Sequence, residues 1–358
     1  MTDGVHLGTN EREWEQTADG TLRVAVVGLG WWASEQVLPA VAETDNCEVT
    51  VGVSGSPDKR ERALMEWETV EHALSYEHFA DGTAVDAYDA VYVCTPNALH
   101  LPHVETAAEF GKAVLCEKPM EASVDRARRV VEVCDEADVD LMVGYRMQTD
   151  RALRAVRRLV RDGVVGDPVH VHSHMSQTIS QMFDDPSHWR LHPDLAGPGT
   201  SVTDLGVYPI NTSRFVLDAD PVSVSAATWS GDDEWFDDVP DERASFDLAF
   251  PDGVHALCSV SQNAYHTAEF RVVGTDGEIR LRPGFFGSQS NELLVSTPDG
   301  ETAVTYDPVN QMAELFAYFS DRVLGEQPIH ADGEHGLVDI EVVEAVYESG
   351  ADGERKSL

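Results

Sequence analysis

The chain has 358 residues and a net charge of −39, from 25 basic against 64 acidic side chains. That length implies two domains with ample core, and the charge excludes nucleic acid as an obvious partner. No stretch approaches the roughly 20 apolar residues of a membrane span, and 42% hydrophobic content with regular patterning excludes general disorder.

Residues 1–20 are acidic and carry neither a basic nor an apolar stretch, so they are predicted to be a mobile arm rather than a signal peptide. Leu22-Arg-Val-Ala-Val-Val27 reads as a buried strand, followed by Gly28-Leu29-Gly30-Trp31-Trp32-Ala33 and a helical stretch to residue 43. This is the G-x-G-x-x-A form of the dinucleotide fingerprint. Gly28 serves the tight turn, Gly30 the approach to the pyrophosphate and Ala33 the helix–strand packing. The helix N-terminus then offers N–H groups to phosphate. Core packing is the commoner fate of a tryptophan pair such as Trp31-Trp32.

A second strand, 48–53, ends at Ser54-Gly55-Ser-Pro-Asp-Lys59-Arg60. An NAD enzyme places an acid at this strand end for the ribose 2′-hydroxyl. A hydroxyl followed by two cations suits a 2′-phosphate better, which points to NADP. Further strands are predicted at 90–94, ending in Thr95-Pro96-Asn97, at 113–116, ending in Glu117-Lys118-Pro119, and at 139–143, ending in Gly-Tyr-Arg146. Helices closing at Gly111 and running from about 123 to 136 separate them. This alternation is the doubly wound plan. Ligands in such sheets bind beyond the strand carboxyl ends. Pro119 biases Lys118 toward an extended backbone there, carrying the ammonium off the strand end. The chain has only four lysines, at 59, 112, 118 and 356.

The pattern then changes. A basic amphipathic helix is expected at 151–161 and a strand at 168–174. Strands follow at 222–229, 244–250, 254–262, 269–273, 278–282, 293–296 and 302–306, linked by Pro/Thr-Asp-Gly turns that indicate antiparallel pairing. Helices at 311–324 and 337–348 end the chain. The expected division is an arm at 1–20, a Rossmann domain at 21–145 and an open-sheet α+β domain at 146–358. A large sheet with few helices leaves a face for a partner subunit, so a homodimer or homotetramer is expected. His170, His172 and His174 share one strand face, but same-face neighbours lie about 6–7 Å apart, so no metal site is expected. The five cysteines, at 47, 94, 116, 134 and 258, are scattered and read as reduced thiols of a cytoplasmic protein.

Gly28-x-Gly30-x-x-Ala33, Thr95-Pro96-Asn97, Glu117-Lys118-Pro119, Gly144-Tyr145-Arg146 and Asp204-x-Gly206-x-Tyr208 occur in this order over residues 22–350, which resembles the Gfo/Idh/MocA oxidoreductases. Ser54-Gly55 with Lys59, Trp189-Arg190-Leu191 and Tyr208 resemble the glucose–fructose oxidoreductase branch and its sugar-dehydrogenase relatives. The resemblance implies a Rossmann domain plus an open-sheet domain, and NADP contacted by Ser54, Lys59, Trp189 and Arg190. Further cofactor contacts are expected at Gly28, Leu29, Gly30, Trp31, Trp32, Gly55, Arg60, Thr95, Pro96, Asn97, His100, Glu117, Lys118 and Arg146. The exported member of that branch carries a twin-arginine signal, and none is present in residues 1–20.

The implied activity is oxidation of the C1 hydroxyl of a cyclic aldose, with D-xylose the expected sugar and an aldonolactone the product. Tyr208 is the expected general base, Lys118 the cation that favours its phenolate, and Asp204 the residue that holds sugar hydroxyls. Two-sugar exchange, a non-catalytic NADP-binding sensor and NAD-dependent glycoside cleavage are the alternatives on the same fold. The dispersed acids, with 21 Arg to 4 Lys, suggest an enzyme working in molar salt, where screening shrinks to about 3 Å.

Overall fold

The computed structural model describes Arg12 and residues 14–358. Its residues pack into two units: Gln16–Arg146 with Asn310–Ile340, and Met147–Val309 with Glu341–Leu358.

The first unit is built on six parallel strands: β1 Leu22–Val27, β2 Cys47–Val53, β3 His72–Leu74, β4 Ala90–Val93, β5 Ala113–Cys116 and β6 Leu141–Val143. Their order is β3-β2-β1-β4-β5-β6. Short, β-branched and apolar runs suit strands buried on both faces, and every residue of β4 and β5 is buried. The order reverses between β1 and β4, which sets a switch-point crevice beyond Val27 and Val93. β3 and the helices Pro57–Glu66 and Tyr76–Ala80 were not predicted. β3 has three residues, too few to show a period.

The chain passes to the second unit after Arg146, one residue from the expected boundary, but residues 310–340 return to the first unit. The helix Gln311–Leu324, expected in the second domain, packs in the first unit, with Phe316 edge-on to Tyr92 at 5.1 Å and Asn46 Nδ2 donating to the Ala317 carbonyl at 3.0 Å. The arm is also shorter than expected. Trp14 is buried, and Asp321 Oδ1 accepts from the amides of Thr17 at 2.6 Å and Ala18 at 2.8 Å. The remainder of the expected arm, residues 1–11 and 13, lies outside the described residues.

The second unit carries a nine-stranded sheet: β7 Pro168–Thr178, β8 Ser223–Trp229, β9 Arg243–Ala249, β10 His255–Ser261, β11 Asn263–Gly274, β12 Glu278–Arg282, β13 Asn291–Thr297, β14 Gly300–Tyr306 and β15 Lys356–Ser357. Its order is β14-β13-β12-β11-β7-β10-β9-β8-β15, antiparallel except where β7 runs parallel to β10. β7 extends to Thr178, beyond the expected end at 174. Its Ser, Gln and Thr residues hide the apolar alternation, and its ladder partners supply the reason to stay extended. All five cysteines are free thiols.

Candidate active site

The dinucleotide fingerprint folds as its glycines require. Gly28 has φ +106°, and a Cβ there would stand 2.8 Å from the Cys94 carbonyl oxygen, so both conformation and packing demand glycine. Gly30 differs: an added Cβ would meet no protein atom within 4 Å. Packing does not explain that glycine, whereas close approach of a phosphate does. Ala33 is fully buried and opens a π-helical turn, Ala33–Val37, that leads into the helix Leu38–Val41. The Leu29 side chain lies in the core beneath Gly52, so of Leu29 only the main chain is presented to a cofactor. Trp31 departs from the core-packing expectation and is 51% exposed, while Trp32 donates from Nε1 to the Tyr92 hydroxyl at 3.2 Å.

At the end of β2 the Ser54 side chain is buried, and its Oγ accepts from the Ser56 amide at 3.2 Å. Arg60 folds back to donate to the Ser54 carbonyl at 2.6 Å, which tethers its guanidinium beside Gly55. Ser56 caps the Pro57–Glu66 helix, which presents Lys59 exposed in its first turn. A hydroxyl, a tethered guanidinium and an exposed ammonium fit a phosphate, and no carboxylate stands at Ser54 to repel one. At the end of β4, Thr95 Oγ1 is buried and without a hydrogen-bond partner among the described residues. An orphaned hydroxyl beside the glycine loop asks for a ligand group. Pro96 and Asn97 follow, Asn97 buried at the start of a 3₁₀ turn.

Two residues expected to touch the cofactor are hydrogen-bonded to protein groups. His100 is fully buried, with Nε2 on the Thr95 carbonyl at 2.9 Å and Nδ1 on the Met120 carbonyl at 3.0 Å. It braces the Thr95 and Lys118 loops against each other. Glu117 turns inward: Oε1 accepts from the Tyr92 hydroxyl at 2.6 Å and Oε2 from the Lys118 amide at 3.1 Å. Tyr92 therefore joins the Trp32 indole to the carboxylate preceding Lys118. Lys118 itself is half-buried at the end of β5, and its peptide bond to Pro119 is cis. Arg146 donates to Gln311 Oε1, the first residue of the Gln311–Leu324 helix.

In the second unit, Asp204 lies in a π-helical segment, Ser201–Gly206, that continues as the helix Val207–Leu217 bearing Tyr208. The turn begins on a buried anchor. Asp241 accepts from the Thr200 amide, the Val202 amide and the Tyr347 hydroxyl, each at 2.7 Å. Burial outweighs these donors and pushes the Asp241 carboxyl up to about 6. Gly199, just before the turn, has its reason here: a Cβ on it would come within 2.3 Å of Asp241 Oδ1 and 2.5 Å of the Tyr347 hydroxyl.

Asp204 Oδ2 accepts from Gln262 Nε2 at 2.9 Å and faces Arg190 Nε at 3.4 Å. Arg190, expected on the cofactor, is thus paired with Asp204. Its guanidinium lies over the rings of Trp189, at 4.5 Å, and Phe183, at 5.4 Å. Burial and the Arg190 cation hold His188 down at about 4, so it is neutral at physiological pH. Tyr208 is half-buried, its ring 5.9 Å from Phe285. Sequence reasoning missed Gln262, Asp241 and Tyr347. They lie some 40 to 140 residues from the segment they hold, and no local pattern marks them. His170 and His172 lie with rings 6.1 Å apart, and both nitrogens of His174 meet serine hydroxyls.

Residues 22–145 match the model of an oxidoreductase family with an NAD-binding Rossmann fold, and residues 153–280 match that of the GFO/IDH/MocA C-terminal domain. Among curated proteins, the D-xylose 1-dehydrogenase [NADP(+)] of Haloarcula marismortui is 49% identical over 97% of this chain and 96% of its own. D-xylose 1-dehydrogenase (NADP(+)) 2 of Haloferax volcanii is 30% identical over 93% of this chain and 97% of its own. The crystal structure of an aldose–aldose oxidoreductase from Caulobacter crescentus, complexed with glycerol, superposes with a TM-score of 0.87 at 31% identity. That match covers 94% of this chain and all of the other.

Proposed function

This chain belongs to the Gfo/Idh/MocA oxidoreductase family, and from that we propose an NADP-dependent aldose 1-dehydrogenase whose sugar is D-xylose. The observation that carries the reading is 49% identity, over nearly the full length of both chains, to a haloarchaeal D-xylose 1-dehydrogenase [NADP(+)]. The glycine loop, the orphaned Thr95 hydroxyl and the Ser54–Arg60 strand end support the same cofactor from this chain's own residues.

When bound, NADP supplies the acceptor for the C1 hydride. The rest is asked of side chains. Tyr208 takes the proton of the C1 hydroxyl, and Lys118 provides the positive charge that favours the phenolate over the phenol. Asp204, already bonded to Gln262 and Arg190, orients sugar hydroxyls by charge-assisted hydrogen bonds. Loss of the proton from the C1 hydroxyl and of the hydride from C1 leaves the aldonolactone. The free thiols and the absence, among the described residues, of a helix able to cross a membrane fit a cytoplasmic enzyme. Val169, Trp229, Leu257 and Tyr265 remain exposed on the strands of the large sheet, which supports a homodimer or homotetramer formed through it.

A second reading, exchange between two aldoses on a retained cofactor, is favoured by the likeness to the Caulobacter enzyme. Steady-state assays with D-xylose, L-arabinose, D-ribose and D-glucose, each with NADP and NAD, separate the two. Net NADPH formation, fastest with D-xylose, is the expected result. Sugar turnover without net NADPH would establish exchange, and bound cofactor with no turnover would overturn both.

A further inference from the structure

We propose that Gln177 and Gln262 form a polarity relay that holds the Asp204 carboxylate in its working orientation, making both glutamines positioning residues for the sugar chemistry. The proposal rests on the reading of Asp204 given above. Its basis is the one parallel pairing in the large sheet. β7 and β10 run together through the pair Ser176–Ser261. The next residue on each chain is Gln177 and Gln262, so the register sets the two amides side by side. Gln262 is fully buried and Gln177 nearly so. The Gln262 main chain is also pinned: its amide donates to Ser201 Oγ and to the Glu242 carbonyl, both at 3.0 Å, and its carbonyl accepts from the Ile179 amide at 2.8 Å.

The direction of the relay follows from chemistry. An ionised carboxylate only accepts, so Gln262 must turn its NH₂ toward Asp204 Oδ2, at 2.9 Å. Its Oε1 then requires a donor. Gln177 Nε2 supplies one at 3.0 Å. Two amides inside a sheet are costly unless satisfied, and leucines would fill the same space. What leucines could not do is present a fixed N–H to Asp204. Arg190 reaches the same Oδ2 at 3.4 Å from the loop side, so the carboxylate is held from two directions.

Gln177→Glu tests the relay because it changes polarity and almost no volume. Ionised, the new side chain has no donor for Gln262 Oε1. The Gln262 amide then turns over and sets its own carbonyl against Asp204. Protonated, the new side chain donates again, and burial close to Asp204 raises its pKa into a workable range. The expected result is a fall in kcat/KM for D-xylose of roughly tenfold above neutral pH, the worth of one such hydrogen bond. NADP affinity should be unchanged, and the deficit relative to wild type should shrink on acidification. Gln177→Leu should lose activity with no such recovery. Wild-type kinetics for Gln177→Glu, or a deficit independent of pH, would overturn the relay. Asp204→Asn is measured in parallel. If it keeps wild-type sugar kinetics, the reading of Asp204 falls and the relay with it. A crippled Asp204→Asn beside an indifferent Gln177→Glu overturns the relay alone.

Discussion

In the proposed mechanism Tyr208 carries the heaviest chemical demand, since its phenolate has to take up the proton of the sugar hydroxyl. With Phe in its place, kcat should fall about a hundredfold, the lower end of what a positioned base contributes, while NADP binding followed by fluorescence titration stays intact. Lys118→Ala should move the pH profile: without the ammonium the phenolate is less favoured, so the acid limb of the kcat profile moves to higher pH. Unchanged limbs would place the base elsewhere. Individual residues were legible in the sequence where backbone geometry alone dictates type, as at Gly28, whose φ of +106° admits little else. His100, at the start of the helix His100–Glu109, and Glu117, after β5, were expected on the cofactor, and the structure pairs both with protein groups. Position along the chain does not say whether a side chain turns to a ligand or inward to a carbonyl or hydroxyl, as these do.

The segment Ser201–Leu217 bears both residues of the proposed sugar site, Asp204 and Tyr208, and it is anchored by one buried carboxyl. The folded pKa of Asp241, about 6, lies above the ordinary carboxylate value. Between about pH 4 and 6 the native state therefore holds a proton there that the unfolded chain has released. The group contributes stability below that window, and the contribution is lost as pH rises through about 6. Asp241→Asn lacks this linkage. The stability advantage of wild type over the variant, from urea midpoints, should be larger at pH 5 than at pH 7 by about 1 kcal/mol. A difference independent of pH would show that Asp241 titrates as an ordinary carboxylate. Many elements were readable from period and punctuation. The helices Arg151–Arg161 and Gln311–Leu324 and the strand Glu278–Arg282 occur at the predicted bounds. The π-helical turns at 33–37 and 201–206 were not, because 3.6- and 4.4-residue turns leave nearly the same apolar pattern over so few residues.

For the whole molecule the dominant quantity is the net charge of −39. Repulsion among dispersed carboxylates opposes a compact state, and screening lengths fall from about 8 Å at physiological ionic strength to about 3 Å in molar salt. Thermal melts in dilute buffer and in molar KCl should differ by at least about 5 °C, the salted sample being the more stable, which for a chain of this size corresponds to roughly 4 kcal/mol. Equal Tm values would sink the proposed adaptation to salt. Composition, the doubly wound alternation, the glycine fingerprint and the order of the motifs followed from the sequence by itself, because each depends on neighbours within a few residues. The return of Gln311–Leu324 to the first unit, the buried Asp241 anchor and the meeting of Gln177, Gln262 and Asp204 were decided only by tertiary structure. Those contacts join residues tens to hundreds of positions apart, and strand register, which no local pattern encodes, determines which of them touch.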